Sequence, residues 1–84
     1  MRAEDVLPHT TDSVEIDGIM IRKGSVGAFL ANAAVLRDPA AAAQARTEAL
    51  RHIEEALPAL RALGLFEVFD IRDAELRTFV ESRP

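Results

Sequence analysis

Between Val26 and Leu36 only Asn32 is polar. A helix over this stretch is apolar on nearly every side, and such a helix has to be covered on every side. The chain available to cover it has 84 residues, enough for one domain with one core. A chain of this size buries roughly 60–65% of its unfolded surface, so a disulfide, a metal or oligomerisation is the usual supplement. There is no cysteine, which excludes disulfides and thiolate metal sites. Burial against a second subunit or another protein partner is the route that remains, and a homodimer is the expected state.

The remaining pattern gives a mainly α (α+β) fold. Residues 1–13 carry turn formers without periodicity and are expected as a flexible lead-in to a single small globular domain over 14–84. Val14-Glu15-Ile16 alternates apolar and polar, Asp17-Gly18 follows, and Ile19-Met20-Ile21-Arg22 resumes the pattern. Asp-Gly between β-branched runs supplies the positive φ angles of a tight turn and predicts a β-hairpin over about 14–22. A lone hairpin is marginal in water, so it must lean on helices. Gly24 turns the chain and Ser25 is the expected N-cap of a first helix over about 25–37. Within it, Gly27, Ala31 and Ala34 form a stripe of small side chains.

Asp38 as N-cap and Pro39 at the first position predict a second helix over about 39–63. Its buried stripe is Leu50, Ile53, Leu57 and Leu60, at spacings of three and four residues. Pro58 lies within that stripe, and the unbroken phase through Leu60 predicts a kink there, not a stop. Gly64 is the expected left-handed terminus, with Leu65 folding back towards Leu60. Residues 65–69 fit either an extended segment or a turn. Asp70 is the expected cap of a third helix over about 71–82, with Leu76, Phe79 and Val80 on its buried face.

The succession Asp17-Gly18, Gly24-Ser25-Val26, Leu57-Pro58 and Gly64-Leu65-Phe66-Glu67 resembles a set of small uncharacterised bacterial proteins. These share a D-G hairpin turn, a G-[ST]-V helix start and a proline-containing helix ending in G-L-F and an acid. The resemblance spans roughly Val14 to Phe69. It implies the hairpin and helix order given above, and it carries no activity, cofactor or site residues.

Composition narrows the function classes. The formal net charge is −4. A nucleic-acid or anionic-membrane binder needs a basic surface, so neither partner is expected. Arg22 and Lys23 are adjacent in an extended segment and would point to opposite faces, which does not suit a DNA-reading strand. The start of the chain is acidic without an apolar core, and no apolar run reaches the ~20 residues of a membrane span. A cytoplasmic location is the expectation.

Three groups invite a chemical reading. Glu48, His52 and Glu55 share a narrow sector of the second helix and could approach a divalent ion. Helical metal sites draw ligands from several helices, however, and ion pairs of Arg51 with Glu48 and Glu55 explain the same residues. Arg22, Lys23, Gly24 and Ser25 precede the first helix, where backbone N–H groups and two cations could hold a phosphate or carboxylate. That makes a small-ligand or anion-binding regulatory domain the second functional reading. Asn32 could fix register in a buried seam or bond a backbone carbonyl. No nucleophile elbow and no convergent acid–base set is present, so no catalytic residue, no cofactor and no enzymatic activity is expected. The leading reading is an interaction module that self-associates or binds a protein partner through Gly27, Leu30, Ala31, Asn32 and Ala34.

Overall fold

The computed structural model describes residues 13–16, 18–22 and 24–84. The lead-in over residues 1–12, Asp17 of the turn and Lys23 lie outside the described residues. The order is β1 (Ser13–Ile16), β2 (Ile19–Arg22), α1 (Ser25–Arg37), α2 (Ala43–Leu63), α3 (Leu65–Val68) and α4 (Ala74–Glu81). The fold is mainly helical, with a short strand pair at its N-terminal end.

β1 and β2 pair antiparallel, with Val14 opposite Ile21 and Ile16 opposite Ile19. Gly18 takes φ 78°, the positive value that the Asp-Gly pair supplies. β2 packs on α2, where Ile21 is 2% exposed. The hairpin is thus supported by a helix, as two strands alone require.

α1 occupies the expected range, but Gly24, at φ 87°, holds the N-cap position and Ser25 is the first helical residue. The Gly24 carbonyl accepts the first α-helical bond, from the Ala28 N–H at 2.8 Å. The sequence-based cap therefore falls one residue late.

α2 begins at Ala43, four residues later than Asp38-Pro39 suggested. Asp38 instead terminates α1, its backbone N–H donating to the Val35 carbonyl. Its carboxylate accepts from the Ala40 N–H at 2.9 Å, and its carbonyl accepts from the Ala41 N–H at 3.1 Å. Both bonds close a turn, which Asp and Pro favour as readily as a helix start. Arg46 fixes this turn from the first part of α2. Its Nε donates to the Ala41 carbonyl at 3.2 Å, its Nη1 to the Leu36 carbonyl at 3.3 Å, and its Nη2 to the Asp38 carbonyl. One guanidinium so serves the end of α1 and the connection beyond it.

α2 continues helical through Pro58 for 21 residues. Ala49, Ile53, Leu57 and Leu60 are its buried residues, whereas Leu50 is only half-buried. The opposite face, with Gln44, Glu48, Arg51, Glu54 and Glu55, is exposed. Ile53, Leu57 and Leu60 join Phe29 of α1 and Leu76 and Val80 of α4 in one core, with Val26, Ala33, Leu36, Leu65, Phe66, Ile71 and Phe79 packed around it.

Gly64, at φ 86°, closes α2, with its N–H directed at the Arg61 and Leu60 carbonyls. It is also the N-cap of α3, and its carbonyl accepts from the Glu67 N–H at 3.2 Å. Residues 65–68 are therefore a single helical turn, which resolves the ambiguity left by the sequence. A Cβ at Gly64 would meet only Glu67 Oε2, at 3.5 Å, so the barrier to substitution is backbone conformation. Gly64→Ala is expected to lower stability by about 1–2 kcal/mol, measured by urea denaturation.

The last helix starts later than expected and takes a different cap. Asp73, not Asp70, accepts from the Leu76 N–H at 3.0 Å, and α4 begins at Ala74. Arg77 donates to the Ile71 carbonyl at 3.1 Å and holds the segment before α4. Arg61 of α2 donates to the Val80 carbonyl at 3.0 Å and the Arg83 carbonyl at 2.8 Å, and also to that of Pro84. Arg83 in turn stacks 4.1 Å from the Phe79 ring centroid and pairs with Glu54, its Nε lying 2.5 Å from Oε2 without hydrogen-bond alignment. These contacts fasten the end of α4 to α2.

Candidate functional site

Two neighbouring features on one side of the fold stand out, the outward face of α1 and an apolar cleft beside it. Only Phe29 of α1 is buried. Phe29, Ala33 and Leu36 turn towards the core, and the helical period puts Gly27, Ala31 and Ala34 on the other side. Those three residues are exposed, and Leu30 beside them retains 60% of its surface. Among the described residues the cover demanded by an apolar helix is thus provided on one side only. α2 and α4 supply the inner contact, and nothing among the described residues covers the outer one.

Gly27 sharpens this picture. It lies in the first turn of α1 at an ordinary negative φ, and a Cβ built on it would meet nothing within 4 Å. Glycine costs up to about 1 kcal/mol relative to alanine within a helix, the full value applying to its interior. Neither backbone conformation nor crowding among the described residues requires glycine there. Asn32 is half-buried and its amide makes no hydrogen bond with a described residue, so the carbonyl contact considered for it is not formed.

The cleft lies between α1, α3 and the segment leading into α4. Phe29 and Phe66 meet edge-on inside it, their ring centroids 5.8 Å apart at 70°. The single turn of α3 produces this contact, because it sets Phe66 inward while Val68 and Phe69 remain 77% and 64% exposed. Leu30 and Phe69 thereby stand as exposed apolar side chains on the same cleft. Sequence periodicity identified Leu30. It missed Phe69 and the cleft, because the lining comes from three elements separated along the chain.

The other candidates are not assembled into sites. Gly24 and Ser25 form the start of α1, Arg22 ends β2, and Lys23 lies outside the described residues, so the proposed anion cradle is not shown. Glu48, His52 and Glu55 all lie on the exposed side of α2. Arg51 Nη1 donates to Glu55 Oε1 at 3.3 Å, and Arg51 Nη2 lies 3.4 Å from His52 Nε2. The cation among them makes this a solvated ion-pair surface. Among the described residues no group of three or more His, Asp or Glu side chains is placed to hold a metal ion. No helix among them is long and apolar enough to cross a membrane. Comparison with protein-family models, curated proteins and solved structures yields no match.

Proposed function

We propose that the protein is an interaction module that self-associates through the outward face of α1. The observation that carries this reading is Gly27. It is less favourable to the helix than alanine and has space for a side chain among the described residues, yet it lies in an exposed stripe with Ala31 and Ala34. Small side chains let a second helix backbone approach closely, and Leu30 would bury its exposed surface in the same contact. A contiguous exposed apolar face is a feature that interfaces share, and this one joins Leu30 to the small stripe. Docking of a different protein on the same face would serve the same residues.

Light scattering coupled to size-exclusion chromatography tests the proposal. The expected result at micromolar concentration is a species of twice the 9.2 kDa protomer. Gly27→Leu and Leu30→Glu should return it to the protomer mass while the circular dichroism spectrum is retained, since both positions are exposed. Gly27→Ala should raise the stability of the separated protomer by up to about 1 kcal/mol. A protomer-sized species at every concentration tested would overturn self-association.

A further inference from the structure

The cleft beside α1 has a volume of about 450 Å³, within the roughly 300–1,000 Å³ of small-ligand sites. Its interior is lined by Phe29, Ala33, Leu65, Phe66, Ile71 and Leu76, without a polar side chain among them. At one side the lining changes character. Arg37, from the last turn of α1, and Arg72, just before α4, line the cleft and also an adjoining depression that they share with Asp73. Neither arginine makes a hydrogen bond or ion pair with a described residue. The Asp73 carboxylate is engaged as the cap of α4, accepting from the Leu76 N–H at 3.0 Å. Asp70 is the other acid of the cleft and does not line the depression. The depression therefore presents two arginines against one carboxylate, one oxygen of which caps α4, at the edge of an apolar cleft.

We propose that this cleft binds an amphipathic monocarboxylate, its aliphatic or arylalkyl body among Phe29, Phe66, Ile71 and Leu76 and its head group on Arg37 and Arg72. Planar guanidinium groups match a carboxylate with paired N–H donors. A single net positive charge in the depression suits a monoanion better than a doubly charged phosphate. The apolar body supplies binding energy in proportion to its length. The site goes beyond self-association and shares only Leu30 with the outward face of α1.

Titration of the isotope-labelled full chain with octanoate and decanoate below their micelle concentrations tests this, with amide shifts as the readout. Saturable shifts at Phe66, Ile71 and Leu76 are expected. Decanoate should bind more tightly than octanoate, by up to about fourfold per added methylene. Decanol and decylamine should bind about tenfold more weakly than decanoate, the loss expected when a charge-assisted contact is missing. The double variant Arg37→Gln and Arg72→Gln changes two exposed residues, and it should remove the difference between decanoate and decanol. The proposal is overturned by a lack of saturable shifts at millimolar decanoate, by decanol binding as tightly as decanoate, or by shifts confined to Gly27, Ala31 and Ala34. Light scattering on the same samples reads self-association separately, so the two proposals fail independently.

Discussion

Leu60→Ala is expected to lower the free energy of unfolding by about 3–4 kcal/mol. Leu60 is 0% exposed at the centre of the core, where α2 meets α1 and α4. Truncating it removes the transfer energy of three carbons and leaves a cavity that rigid neighbours fill only in part. Domains of this size are stable by roughly 5–15 kcal/mol in total, so this one change takes a large share. Urea denaturation followed by circular dichroism measures the loss. Val68→Ala is the internal control, because Val68 is 77% exposed and should shift stability by no more than about 0.5 kcal/mol. A loss below about 1 kcal/mol for Leu60→Ala would contradict the described core.

Arg46→Met is the second large effect, with an expected loss of about 2 kcal/mol. The substitution retains an apolar stem and removes the donors that reach the Leu36, Asp38 and Ala41 carbonyls. These acceptors close the end of α1 and the turn after it, where the helix offers no N–H partners of its own. Arg46→Lys should recover little of the loss, because a single ammonium cannot span three carbonyls as a fork of five N–H donors does. Amide hydrogen exchange should rise from Asp38 to Ala42 in both variants while the core amides near Ile53 remain protected. Unchanged exchange in that turn would show that Arg46 does not hold it.

Local chemistry made much of this fold legible. The Asp-Gly pair, the 25–37 helix, the Ile53–Leu57–Leu60 stripe and the Gly64 terminus each depend on residues within a turn or two of one another. Failures occurred where two local structures want the same residues. Asp38-Pro39 suits both a helix start and a tight turn, and the turn that forms has its carbonyls engaged by Arg46, several residues further on. Asp70 and Asp73 could each cap the last helix. Ile71 is packed against the core, and the helix starts beyond it with Asp73 as its cap. Leu50 looked equal to Ile53 in the stripe, yet Ala49 is buried in its place, on the helix that β2 packs against. The outward face of α1 was visible as an apolar surplus, whereas the cleft required α1, α3 and the start of α4 to be brought together.

Gly64 ends one helix and begins the next within a single residue. That leaves no slack between the long α2 and the short turn bearing Phe66 and Phe69. The place of Phe66 inside the cleft and of Phe69 at its edge is therefore set by where α2 ends, and a residue inserted at this joint would turn both rings away from their present positions.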